Sequence, residues 1–222
     1  MPRLNSATCL IFTLVIIFAN LSARAQNANG VATLNGGRTV VFLKTPRITA
    51  HSGEPGKLVK IYSTLGKGDD VYNANAGVGI LGTDAGQPWP EKVGNGFRPS
   101  ADHIVTQIRV AASYVSGTNT LIVSLHQDNH GVPGKTLHSW HFANLPDFGT
   151  CCALQTGKSK QGIPVKKGRL YWVVLRTSLK TPDTYDVWNN DASGLEGTFA
   201  NDIGDGWDPS FQQLGGFGVF GK

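Results

Sequence analysis

The apolar residues of this chain arrive in runs too short and too regularly interrupted to make helices. β-Branched and aromatic residues come in bursts between clusters of Gly, Asn, Asp, Ser and Pro. Leu and Ala do not recur at the three- and four-residue spacing that one face of a helix requires. The 28 glycines and 11 prolines supply the punctuation. Residues 104–112 show the pattern best, with Ile104, Ile108, Val110 and Ala112 falling on one side of an alternating segment, as in a strand with one wet face. Residues 170–176 are apolar on both faces, as in a central strand. Further strands are expected at 39–43, 58–65, 77–82, 120–126, 136–142 and 217–220. Val132-Pro133-Gly134-Lys135 holds Pro and Gly where a type II turn takes them. The spacing predicts an all-β chain, an antiparallel β-sandwich of about eight strands, and not an α/β fold.

The first 25 residues differ from the rest. Arg3 is followed by an apolar run from Cys9 to Ala19, and Ala23 and Ala25 sit where a signal peptidase accepts small residues. The run is shorter than the ~20 apolar residues that span a bilayer. Residues 1–25 therefore read as a cleavable signal peptide, and the protein is expected to be secreted or periplasmic, with no membrane span after cleavage. Residues 26–57 read as a lead-in carrying one strand, and residues 58–222 as the sandwich domain.

Loss of the leader removes Arg3 and Arg24, so the formal charge falls from +5 to +3. The remaining positive charge is scattered, with no basic run beyond Lys166-Lys167, so nucleic acid is not an expected partner. The leader also takes Cys9, leaving the adjacent pair Cys151 and Cys152. In an oxidising compartment these either form a strained vicinal disulfide or remain as two thiols. Gly157-Lys158-Ser159 imitates the end of a phosphate-binding loop, but Cys152 stands where that motif needs glycine.

Tyr62-Ser63-Thr64-Leu65-Gly66 with Val71-Tyr72-Asn73, the stretch from Val123 to Leu137, and Trp140, Leu145-Pro146, Gly168, Tyr171-Trp172 and Gly216-Phe217-Gly218-Val219-Phe220-Gly221 form a pattern. It resembles the secreted bacterial choice-of-anchor R domains over most of residues 58–222. The resemblance implies a jelly-roll-like extracellular β-sandwich without established catalytic residues. Members often end in an anchoring tail, whereas this chain stops at Gly221-Lys222, so a released protein is expected.

Four histidines, His126, His130, His138 and His141, fall in one expected hairpin. Alternation allows at most His126 and His138 to converge, with His130 near the turn, for Zn or Cu. Asp128 and Asn129 beside Gly131, and Asn189-Asn190-Asp191, offer hard oxygen donors of the kind Ca²⁺ takes, though the same residues are common turn formers. The acidic C-terminal third, with Asp183, Asp186, Asp191, Glu196, Asp202, Asp205 and Asp208 around Trp188 and Trp207, permits two readings. A pair of carboxylates across a cleft would suit a carbohydrate-active hydrolase. Wet-edged tryptophans suit a non-catalytic glycan or surface-polymer site built from Trp188, Trp207, Asn189 and Asp191. The binding reading is preferred, with a purely structural envelope role as a further alternative. Trp140 and Trp172, in apolar runs, are expected in the core.

Overall fold

The structure, a computed structural model, describes residues 58–150 and 153–222, together with the backbone of strands at 30–34, 38–42 and 48–49. The leader reading and the Cys151-Cys152 reading lie outside the described residues. Sixteen strands and no helix are found among those described. No helix there is long and apolar enough to cross a membrane. The chain is an all-β antiparallel sandwich, and the strand count is larger than the eight expected.

In chain order the strands are β1 (Gly30–Leu34), β2 (Arg38–Phe42), β3 (Ile48–Thr49), β4 (Val59–Ser63), β5 (Tyr72–Leu81) and β6 (Lys92–Phe97). They continue as β7 (His103–Val110), β8 (Ala112–Ser116), β9 (Thr120–Asn129), β10 (Val132–Ala143) and β11 (Gln155–Val165). The last five are β12 (Tyr171–Arg176), β13 (Tyr185–Asp191), β14 (Glu196–Asp202), β15 (Trp207–Gln213) and β16 (Phe217–Gly221). One sheet runs β1-β2-β5-β13-β8, with β3 also paired to β5; a second runs β11-β7-β16-β4. β7 passes almost directly into β8 through Ala111, whose N–H donates to Gly216 O at 2.8 Å and whose carbonyl accepts from Asn189 N at 2.8 Å. These two sheets therefore make one continuous wall. The third sheet, β10-β9-β12-β6-β14-β15, is the opposite wall.

Between the walls lies the main core. β12 sends Tyr171, Val173 and Leu175 into it, β7 sends Val105, Ile108 and Val110, β13 sends Trp188, and β16 sends Phe217 and Val219. The Trp188 and Phe217 rings meet edge-on at 5.8 Å, a favourable arrangement of their quadrupoles. Trp140 is buried here too, as expected from its apolar run. Trp172 is equally buried, but by the other face of β12, where it joins Val174, Ala200, Leu170 and Trp207 in a small second cluster. β10 folds back over that face and approaches β15, so the six-stranded sheet is curled around this cluster. The curl needs glycine in β6. A Cβ at Gly94 would stand 2.9 Å from Pro133 Cγ and 3.3 Å from the Trp172 ring.

The strands missed in the sequence are the polar or glycine-rich ones. β6 reads Lys-Val-Gly-Asn-Gly-Phe and β13 reads Tyr-Asp-Val-Trp-Asn-Asn-Asp, yet every residue of β13 is buried. β14 and β15 occupy the stretch read as acidic loops. The β9–β10 turn is also displaced from the expected 132–135. His130 and Gly131 both have positive φ (55° and 89°), the signature of a two-residue type I′ hairpin. Pro133 and Gly134 instead fall within β10, where the register shifts between Pro133 and Thr136.

Candidate functional site

Burial removes three of the four residues assigned to a ligand face. Trp188 is 1% exposed, and its indole N–H donates to Gly216 O at 3.1 Å. Asn189 is fully buried; its side-chain oxygen accepts from Ser113 Oγ at 2.6 Å and its amide donates to Ala74 O at 3.2 Å. Asp191, also buried, closes the turn after β13 by accepting from the Ser193 and Leu195 amides at 2.7 and 3.0 Å. These side chains hold sheet and turn together, which corrects their reading as ligand contacts. In a strand buried on both faces, polar side chains such as these find their partners inside the protein and not in a ligand.

The proposed metal donors are also dispersed. Asp128 accepts the Trp172 indole N–H at 2.9 Å through Oδ1, and both its oxygens accept from Gly131 N, at 3.1 and 3.2 Å. It thus ties the hairpin tip to the second cluster; neighbouring Asn129 pairs with Val132 across the turn. The irregularity in β10 moves His138 opposite Leu125, on the core side, where its ring lies edge-on to Trp140 at 4.7 Å. His126 pairs with Trp172 on the other face, so the one convergence that alternation allowed does not occur. His126 Nδ1 lies 2.7 Å from Gly134 O and Nε2 2.8 Å from Ser124 Oγ. Burial, with smaller help from the charges of Arg176 and Lys92, pushes this imidazole below its usual value. Among the described residues, no three His, Cys, Asp or Glu side chains gather to hold a metal ion.

What the fold does assemble is a row across one end of the curled sheet. Leu175 pairs with Val93, so Arg176 and Lys92 follow as the next position on β12 and β6. Lys92 pairs with Asp202 on β14, and Asp202 with Trp207 on β15. Because paired residues share a face, Arg176, Lys92, Asp202 and Trp207 stand side by side. Lys92 Nζ reaches Asp202 Oδ2 at 2.8 Å and lies 5.1 Å from the centre of the Trp207 ring. Burial pushes the Asp202 carboxyl up, but the Lys92 hydrogen bond and charge and the Gly204 and Gly206 amides outweigh it, holding the group below its ordinary value. Asp202 is therefore an ion at neutral pH, unsuited to donating a proton.

Arg176, Lys92 and Asp202 of this row line a cleft of about 490 Å³ between the end of β5 and the ends of β6, β12 and β14, while Trp207 packs against the second cluster beside it. Leu81, Pro90, Leu179 and Pro182 give it apolar walls, Thr83, Thr177 and Ser178 give hydroxyls, and Lys92, Arg176 and Asp202 give charge. Leu179, 93% exposed, stands at its edge. Glu91 also lines the cleft and is 1% exposed. It precedes Lys92, so alternation sets it on the Val93 side of β6, opposite to Asp202. The two acids therefore do not face one another as a hydrolytic pair requires.

Of the residues named from sequence, Asp202 lines this site and Trp207 stands behind it at the end of the row; Lys92, Arg176, Glu91 and Leu179 were not singled out. Arg176 had left one signal, a charge ending an otherwise apolar strand. No family model, curated protein or solved structure matches the chain.

Proposed function

We propose that the protein is a non-catalytic exported binding or adhesion module that takes a glycan or another surface polymer into the cleft at the end of the curled sheet. The observation that carries this reading is the lining. Apolar walls, three hydroxyl side chains and a fixed charged row converge in one concavity of 490 Å³. Binding sites combine apolar surface with a few placed polar groups in this way, and the volume falls within the usual range of about 300–1,000 Å³. Sugar rings present apolar faces and hydroxyl edges that such a lining complements. The signal-like leader and the resemblance to choice-of-anchor R domains point the same way, to work outside the cytoplasm. A glycan-array screen tests it, with Leu179→Asp and Trp207→Ala as probes of the cleft edge and the end of the row. Binding by the parent that weakens in Leu179→Asp supports the cleft. No binding by the parent, or unchanged binding by both variants, defeats the reading.

A further inference from the structure

We infer that the cleft selects a carboxylate-bearing saccharide, with Arg176 receiving the acid group. The inference rests on the glycan-binding reading above and names its substrate class. The two cations of the row differ in what neutralises them. Lys92 is held by Asp202 at 2.8 Å and by the face of Trp207. Arg176 has one hydrogen bond, from Nη1 to its neighbour's carbonyl, Thr177 O, at 3.2 Å. No carboxylate among the described residues lies within ion-pair distance of it. It is half-buried and lines the cleft, so its charge faces a concavity and not bulk solvent alone.

A guanidinium carries five N–H donors in a planar fork that matches a carboxylate bidentately. With Nη1 engaged on the Thr177 carbonyl, Nε and Nη2 remain for a ligand. That carbonyl also fixes the group's direction, reducing the entropy lost on binding. Asp202 adds selectivity by position. Its ionised carboxylate lies two strands away, beyond Lys92, and repels a second acid placed at that end. Pro90 and Pro182, both partly exposed, offer apolar surface for the ring that bears the acid, and Thr177 and Ser178 offer hydroxyls for its edge. The whole matches one uronic-acid-type unit.

The test is calorimetric titration of the purified protein with oligogalacturonate and with the same oligosaccharide fully methyl-esterified. The acid form is expected to bind more tightly than the ester by about 10- to 100-fold, the range for a hydrogen bond to a charged group. Arg176→Gln is expected to remove that preference, leaving acid and ester alike, while Arg176→Lys retains part of it. Thermal unfolding of each variant verifies that the fold is intact. Equal binding of acid and ester by the parent overturns the inference and leaves the cleft reading standing. Acid preference that survives in folded Arg176→Gln also overturns it, by placing the anion elsewhere. Binding of neutral glycans alone has the same effect, whereas failure of every glycan removes both readings.

Discussion

Replacing Asp186 by asparagine should flatten the dependence of stability on pH. Asp186 lies in β13 on the same face as Trp188, pointing into the main core beside Ile80 and Val78. It is fully buried, and neither side-chain oxygen has a hydrogen-bond partner among the described residues. Burial pushes its carboxyl from 3.8 up to about 8. The native protein at neutral pH therefore holds a proton here that the unfolded chain has lost. Below the unfolded value both states are protonated and the group has no pH effect. Between the two values the native state binds one more proton, so stability falls as pH rises, by about 1.4 kcal/mol per pH unit. From pH 5 to pH 7 the loss is about 3 kcal/mol, and above the native value it levels off. Urea unfolding followed by tryptophan fluorescence at pH 5, 6, 7, 8 and 9 measures it. All other titrating groups are common to the parent and Asp186→Asn, so their difference isolates this carboxyl. Asp186→Val, which removes the unpartnered acid altogether, should be more stable than the parent at pH 7 by a few kcal/mol. Parallel pH profiles for the parent and Asp186→Asn would refute the reasoning, since they would require a carboxylate that titrates normally in the fold.

Two further outcomes follow from the packing and the charged row. Trp188→Ala should lower unfolding free energy by about 3–5 kcal/mol, the range for truncating a large core aromatic, as read from urea midpoints. A change under 1 kcal/mol would mean that Trp188 is not the core residue described. Lys92→Met should raise the Asp202 carboxyl, because burial then acts without the ammonium that opposes it. The stability that Asp202 contributes is present above its unfolded value and lost as pH falls through the native one, so in Lys92→Met the acid-side loss should begin at higher pH. Carbon-13 NMR titration of Asp202 reads this directly, and an unmoved titration would show that Lys92 is not its partner.

The fold class was legible because period is a local property. β7 and β12 announced themselves through alternation and through an apolar run, each visible within a few residues. β13 was not legible, because what holds it in place is distant in sequence. Asn189 uses Ala74, and Trp188 uses Gly216. Read alone, Asp-Val-Trp-Asn-Asn-Asp has the composition of a wet loop. β6 was hidden for a different reason. Its glycines lower strand propensity, and their purpose, clearance for Pro133 and Trp172 at Gly94 and for Leu170 and Thr198 at Gly96, appears only once the sheet is folded.

The candidate site was less legible than the fold for a reason that follows from the same geometry. Residues 92, 176, 202 and 207 come from four strands, and what unites them is register, fixed by hydrogen-bonded pairing across the sheet. Register depends on turns and bulges that a sequence reading places only approximately, and a slip of one residue reverses every side chain. The β10 irregularity is such a case: it carries His138 to the core side and removes the one histidine pairing that alternation allowed. At the other end of the sheet, regular pairing from β6 through β14 to β15 brings Lys92, Asp202 and Trp207 together. Composition drew attention to tryptophans beside acids in the C-terminal third, and in one such pair, Trp207 with Asp202, the acid lines the cleft and the indole backs the lysine that holds it. The cations that shape its chemistry enter from β6 and β12, where nothing in the local sequence distinguishes a site-forming charge from a strand end.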